Sequence, residues 1–325
     1  MKFLLPIAQR IFYAVLLLTA VLVLNFSMMH LAPGDISDTI AGASGGISEE
    51  MIAQIRADYG LDQPFIVQLF SYISKVATFD LGYSFFYNQQ VTTLIFEKLP
   101  ATLLLVITAQ LLALIVGVLL GVFSARNPSG IVSYLVTGIS LFGYAAPVFW
   151  TGILLLIAFS LKIQLFPVAG MMDVTVGDNP FAQALSIAHH MVLPTVTLAS
   201  IFLALYSRLC RASMLEVLGS DYIRTARAKG LSEREVVLKH ALKNSLSPVI
   251  TLAGLQFSAV VSGAVLVEAV YSWPGLGTLA LQSIIARDTP TILGILFFSA
   301  LVVIVGNLLT DLVLRFVDPR VGSKA

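Results

Sequence analysis

The chain has 325 residues, of which 58% are hydrophobic and 11% charged, with a mean hydropathy of +0.92; soluble domains carry about 25% charged residues, so a water-soluble globule is excluded and lipid is the main solvent. Nineteen basic against eighteen acidic residues leave a net charge of +1, which excludes a global field for nucleic acid or an anionic surface. The single cysteine, Cys210, excludes an internal disulfide framework and a cysteine-based metal cluster, and its expected role is packing.

A charged side chain at mid-bilayer costs about 2.5–3.5 kcal/mol, so the longest charge-free runs mark membrane helices. Six runs stand out in chain order. The first, Ile11 to Leu31, follows Lys2 and Arg10 as a signal peptide would, but it exceeds an apolar signal region of about 7–15 residues and reads as a retained helix. The second lies between Lys98 and Arg126, the third between Arg126 and Lys162, and the fourth between Asp178 and Arg208. The fifth lies between Lys243 and Glu268, and the sixth between Asp288 and Asp311, where Pro290 suits a first helical turn that needs no N–H. An even number of spans puts both termini on one side. Assigning that side to the cytoplasm gathers Lys2, Arg10, Arg126, the basic residues from Arg208 to Lys243, Arg315, Arg320 and Lys324 inside, and leaves Arg56, Lys75, Lys98, Lys162 and Arg287 outside. The expected fold is therefore all-α and integral to the membrane, with six transmembrane helices and cytoplasmic ends.

The external segment from Ala32 to Lys98 holds eight acidic and three basic residues and is long enough for structure of its own. Ser48 is placed to cap a helix carrying Glu49 and Glu50 in its first turn, with Gly60 as a left-handed stop. Pro64 opens a second apolar-rich stretch through Ala77, which reads as a small cap over the outer mouth of the bundle or as a docking surface. The division expected along the chain is 1–95 for the first helix and external segment, 96–318 for the core with five helices, and 319–325 for a cytoplasmic tail. In the second span Gly117 and Gly121 form a G-x-x-x-G pattern that permits close helix approach. In the third, Pro147 after Ala145-Ala146 removes a backbone donor and is expected to bend the helix, either lining a pathway or as a tolerated structural kink.

The cytoplasmic segment, about 211–247, specifies two short helices. Gly219-Ser220-Asp221 interrupts the extension of the fourth span, and Ser220 or Asp221 is placed to cap a helix from Tyr222 to Lys229. Gly230 supplies a left-handed stop with Leu231 as the apolar residue beyond it, and Ser232-Glu233-Arg234-Glu235 is a capping box that starts the next helix. Tyr222, Ile223 and Ala226 fall on one side of the first helix while Arg224, Arg227 and Lys229 project elsewhere, so the element suits docking of a partner or a membrane surface. A DNA-reading helix pair fits poorly, because both ends are tethered to membrane helices and Glu216, Asp221, Glu233 and Glu235 dilute the basic charge.

With these residues in view, the run Met214-Leu215-Glu216-Val217-Leu218 followed by Asp221-Tyr222-Ile223-Arg224-Thr225-Ala226-Arg227-Ala228-Lys229-Gly230-Leu231 resembles the coupling loop of binding-protein-dependent ABC importer permeases. Leu31-Ala32-Pro33-Gly34-Asp35, Tyr59-Gly60-Leu61-Asp62-Gln63-Pro64, Asp80-Leu81-Gly82, Ser272-Trp273-Pro274-Gly275-Leu276-Gly277 and Asp318-Pro319-Arg320 resemble the first permease subunit of the dipeptide, oligopeptide and nickel branch. In the wider superfamily the loop opens Glu-Ala-Ala and ends near Leu-Pro. Here Arg224-Thr225-Ala226 and Leu242-Lys243 stand in those places, as is typical of the branch. The resemblance implies a type I importer permease fold in a bacterial inner membrane. It also implies a second homologous permease as heterodimer partner, two ABC ATPase subunits that hold ATP and Mg, and an extracytoplasmic substrate-binding protein. It makes Tyr222 to Leu231 the ATPase-coupling residues. The expected cargo is a di- or oligopeptide, with nickel chelates or other small solutes as alternatives. The chain has no G-x-x-x-x-G-K-[ST] phosphate loop, so it is expected to bind no cofactor and to draw energy from another polypeptide or from an ion gradient; an ion-driven transporter or channel is the rival class.

Few ionisable residues lie near the spans. Glu268, towards the outer end of the fifth, reads as facing ligand or headgroups, and Asp311, one turn before Arg315, as a pathway acid or half of an i, i+4 ion pair. His30, His189 and His190 map near the outer face, and because adjacent histidines do not share a helical face they read as packing or interface groups, not as a metal site. No nucleophile stands with a positioned base and no acid pair lies at helical spacing within the spans, so no catalytic residue is nominated and an enzyme is not expected.

Overall fold

A computed structural model describes residues 4–31 and 62–317. The helix expected between Ser48 and Gly60, the Asp318-Pro319-Arg320 motif, the tail 319–325 and the side chains of Asp311 and Arg315 lie outside the described residues. In chain order the elements are α1 (Leu4–Leu31), α2 (Phe65–Ala77), β1 (Tyr83–Ser84), β2 (Gln89–Gln90), α3 (Val91–Arg126), α4 (Ile131–Ala145) and α5 (Val148–Leu155), which continues into a π-helical turn over Leu156–Lys162. There follow α6 (Pro180–Leu218), α7 (Asp221–Ala228), α8 (Glu233–Glu235) running into a π-helical turn over Val236–Ala241, α9 (Leu242–Leu255), α10 (Phe257–Val270), α11 (Leu276–Ala286) and α12 (Thr289–Val317).

By contacts the chain divides into two compact units, one of Met1–Pro100 with Gly275–Ile304 and one of Ala101–Pro274 with Val305–Ala325. In the first, Leu22 of α1, Val76 of α2, Val91, Leu94 and Ile95 at the start of α3, Leu276 and Leu279 of α11, and Ile295, Phe297 and Phe298 of α12 form one buried cluster. Phe26 stacks on Tyr72 with ring centroids 5.4 Å apart, fixing α1 on α2. The strands pair antiparallel with Tyr83 opposite Gln90. Asp288 starts α12: its Oδ2 accepts from the Thr291 hydroxyl at 2.6 Å and from the Ser84 hydroxyl at 2.6 Å.

The second unit is organised on α6, against which α4, α5, α9 and α10 pack. At 39 residues α6 is about 58 Å long, roughly twice the hydrocarbon thickness, so it continues beyond any bilayer it crosses and carries the next segment with it. Its packing on α3 uses the G-x-x-x-G pattern. A Cβ at Gly117 would lie 3.0 Å from the Cβ of Tyr206, and one at Gly121 would lie 2.6 Å from that of Cys210, so only glycine admits the backbones this close. Cys210 is buried in that contact.

Two expected spans are interrupted. The third does not bend as one helix at Pro147: α4 stops at Ala145, and Pro147, at φ −60° and ψ 137°, is the N-cap of α5. The physical reason is that the residue before a proline is pushed out of the helical region, so Ala146 breaks the helix outright. The fifth, expected to be a single run, is a pair of helices meeting at Gln256 with a 53° bend. Among the described residues, Val91–Arg126, Pro180–Leu218 and Thr289–Thr310 are long and apolar enough to cross a membrane, and the bent pair makes a fourth; Phe12–Met28 and Val148–Lys162 are apolar but shorter.

Candidate functional site

The segment after α6 is built from the caps that its sequence specifies. Gly219 ends α6, its N–H donating to the Leu215 carbonyl at 3.2 Å. Ser220 takes the N-cap position of α7 but its hydroxyl donates back to the Val217 carbonyl, so the cap bond expected of it is not made. Asp221 is the first residue of α7. Its carboxylate lies 3.3 Å from Arg224 Nη1, and its carbonyl accepts from the Thr225 hydroxyl at 3.0 Å. The far end of α7 closes as a full Schellman motif: the Gly230 N–H donates to the Arg227 carbonyl at 2.9 Å and the Leu231 N–H to the Ala226 carbonyl at 3.4 Å. Gly230 has φ +81°, a left-handed conformation that other residues adopt at a cost.

The next start is equally specified. The Ser232 hydroxyl accepts from the Glu235 N–H at 3.3 Å, the serine half of the capping box, and itself donates to the Glu235 carboxylate at 3.1 Å. Across the turn Arg227 grips Glu233 with two nitrogens, Nε to Oε1 at 2.7 Å and Nη2 to Oε2 at 3.4 Å. Lys239 adds a 3.0 Å bond to Glu235. These carboxylates precede the charge-free run that follows Lys243. The Arg227 guanidinium holds the Glu233 carboxyl below its ordinary range, and Lys239 together with the Ser232 hydroxyl does the same for Glu235.

Two faces result. Ile223 and Ala226 are buried, and α7 packs on the π-helical turn, where Val236, Val237 and Ala241 are buried as well. Tyr222, expected on this apolar side, is 43% exposed instead. Its ring body stays open because its hydroxyl is held from two sides, accepting from Asn244 Nδ2 at 2.7 Å and donating to the His240 carbonyl at 3.4 Å. Arg224, Thr225, Arg227, Ala228, Lys229 and Gly230 are exposed and Leu231 is half-buried. The outcome is a short helix closed at its C-terminal end by the Schellman motif and packed along its inner side, whose outer face carries Arg224, Arg227 and Lys229 beside the carboxylates of Asp221 and Glu233.

The remaining nominated residues lie elsewhere. Pro147 starts α5. Glu268 is fully buried, with its Oε1 accepting from the Thr102 hydroxyl at 2.6 Å. Asp311 belongs to α12. His30 packs edge-on against Phe65 at 5.1 Å. His189 Nε2 lies 2.9 Å from the Leu165 carbonyl, while His190 Nδ1 lies 2.8 Å from the Ser186 carbonyl and its Nε2 3.6 Å from Asp173, so the pair ties the residues before α6 to that helix. A search of the spans for charges passes over Gln110. The signal was an amide in the middle of the charge-free second run, and the structure joins it to Tyr206 and to the backbone of α9.

The profile of the binding-protein-dependent transport system inner membrane component matches residues 117–323, and that of the N-terminal part of such membrane components matches residues 1–106. The oligopeptide transport system permease protein AppB of Bacillus subtilis is 37% identical over 316 residues, covering 97% of this chain and 98% of that protein. The dipeptide transport system permease protein DppB of Escherichia coli K12 is 38% identical over 318 residues, covering 93% of this chain and 94% of that protein. Among solved structures, an inward-facing form of the MetNI methionine ABC transporter superposes with a TM-score of 0.55 at 18% identity, covering 69% of this chain and 96% of the matched one, which shows a shared fold. Matched along nearly its whole length, this chain belongs to the family of binding-protein-dependent transport system inner membrane components.

Proposed function

We propose that the chain is one of two permease subunits of an ATP-driven importer in a bacterial inner membrane, crossing it six times with both ends cytoplasmic. It takes up di- or oligopeptides handed over by an extracytoplasmic binding protein, and α7 docks on one of two ATPase subunits. The observation that carries the reading is the construction of residues 221–235: a Schellman stop, a capping box and a two-nitrogen Arg227–Glu233 bridge hold in shape a helix too short to stand alone. To move a pathway from 1:99 to 99:1 between its two faces, nucleotide must favour one state by about 5.5 kcal/mol, and only a stiff connection passes such a bias on. The segment has that stiffness, and it leads through α8 and its π-helical turn into the fifth span without a loop. The extent of identity to AppB and DppB supports peptides as the cargo.

Reconstitution tests the reading. The chain, purified with its second permease, ATPases and binding protein and placed in proteoliposomes, is expected to accumulate labelled peptide only with ATP, and to do so with ion gradients collapsed. Uptake that follows an ion gradient and ignores ATP would overturn it in favour of a secondary transporter.

A further inference from the structure

The 53° bend between α9 and α10 at Gln256 needs a cause, because sharp kinks arise at prolines, at Gly/Ser pairs, at π-bulges or where a side chain enters the backbone ladder. Pro248 lies eight residues earlier, and the carbonyl it orphans is that of Asn244, so it does not explain a break at residue 256. The π-helical turn ends at Ala241, and Gly254 and Ser258 are separated by Leu255, Gln256 and Phe257 and form no adjacent pair. The fourth cause is present. In a continuous helix the Ala253 carbonyl would accept from the Phe257 N–H. Here it accepts from Gln110 Nε2 of α3 at 3.1 Å. The same nitrogen donates to the Tyr206 hydroxyl of α6 at 3.0 Å, and that hydroxyl lies 3.3 Å from Gln110 Oε1.

The pieces around this bond fix the amide in place. Tyr206 is fully buried. Gln110 shares a helix face with Gly117 and Gly121, at spacings of seven and four, and the close approach at Gly117 is to Tyr206 itself. On the other side α12 packs both arms of the bend: a Cβ at Gly254 would collide with Thr310, and one at Gly306 with the Phe257 ring.

We infer that Gln110 is a positioning residue, which by taking the Ala253 carbonyl sets a defined elbow in the fifth span, so that movement of the segment 221–235 is delivered to α10 at a fixed angle. The elbow is a built joint, with its angle chosen by one amide from a neighbouring helix. The inference rests on the function proposed above only for its consequence in transport; the angle itself is a property of the chain alone.

Two readings therefore separate. Cysteines replacing the half-exposed Leu238 and Leu266, which flank the elbow, carry spin labels in the full-length chain in lipid nanodiscs. Gln110→Met keeps the bulk of the side chain and removes its amide, and the label–label distance is expected to broaden and shift by several ångströms towards the value of about 42 Å for a straight helix. Tyr206→Phe, which leaves the Ala253 bond but loosens the amide, is expected to shift it less, and serves alone if Gln110→Met fails to fold. In the reconstituted complex Gln110→Met is expected to lower the maximal uptake rate at least fivefold with the half-saturating peptide concentration unchanged. A distance distribution identical to wild type in whichever variant folds overturns the elbow. A shifted distribution with no ATP-driven uptake by the wild type upholds the elbow and overturns the transport reading instead.

Discussion

The segment 221–235 and the elbow at Gln256 are both joints, and they are made by opposite means. The first is stiffened by its own neighbours in sequence: Gly230 to Arg227, Leu231 to Ala226, Ser232 to Glu235, Arg227 to Glu233. The second is shaped from outside, by Gln110 of α3, Tyr206 of α6 and the glycines at which α12 comes close. A joint of the first kind keeps its shape when it is moved as a body, which suits contact with a separate subunit. One of the second kind holds its angle as long as its supporting helices stay in place, which suits a point inside a bundle where movement is passed on.

That contrast can be broken most forcefully at the helix contact supporting the elbow. Gly121→Val places a side chain 2.6 Å from the Cβ of Cys210 and 2.8 Å from the Ser207 carbonyl, a clash with backbone that no rotamer change removes. Overpacking of this kind costs about 1–3 kcal/mol or more. Thermal unfolding of the purified chain in detergent is expected at a clearly lower temperature, with the elbow labels broadened too. Next, Gly230→Val forces a β-branched residue into φ +81°, at about 1–2 kcal/mol. Peptide uptake is expected to collapse while the complex still assembles and its ATPase rate no longer rises with loaded binding protein; unchanged uptake and stimulation would remove the case for a stiff lever.

Ser232→Ala removes the cap bond to Glu235, worth about 1 kcal/mol. Hydrogen exchange is expected to quicken at the amides of Glu233 to Glu235 and not at those of α10, which separates the two joints. The smallest effect is that of pH. Glu233 and Glu235 titrate below the ordinary glutamate value of 4.5 in the folded segment, so the unfolded segment takes up protons first. Their support is whole at neutral pH and is lost as the pH falls through 4.5 and below. Exchange in 221–235 is expected to quicken over that acid range, and Arg227→Met to remove the larger part of the dependence that comes from Glu233, the charge of Arg126 supplying the remainder.

The same contrast explains what the sequence made legible. The Schellman stop and the capping box are written in residues at most five apart, so Gly230 and Ser232 could be assigned before any fold was known. Ser220 could not, because the choice between capping α7 and bonding back to Val217 depends on how α6 ends. The apolar runs gave the helices, but the break at Gln256 has no proline or glycine at its own position to announce it. It depends on an amide 143 residues away in sequence. Nor does anything local to Glu268 point to its bond with Thr102 of another helix.

The central claim is that α7 is gripped by a separate ATPase and moves with it. Arg224→Cys, on the exposed face of α7, carrying a short cross-linker in the assembled complex, tests this most directly. The account predicts a covalent product with an ATPase subunit, formed at rates that differ between nucleotide-free and ATP-bound complexes. A label at residue 224 that stays freely mobile and joins to no other subunit, in a complex that still imports peptide with ATP, would contradict it.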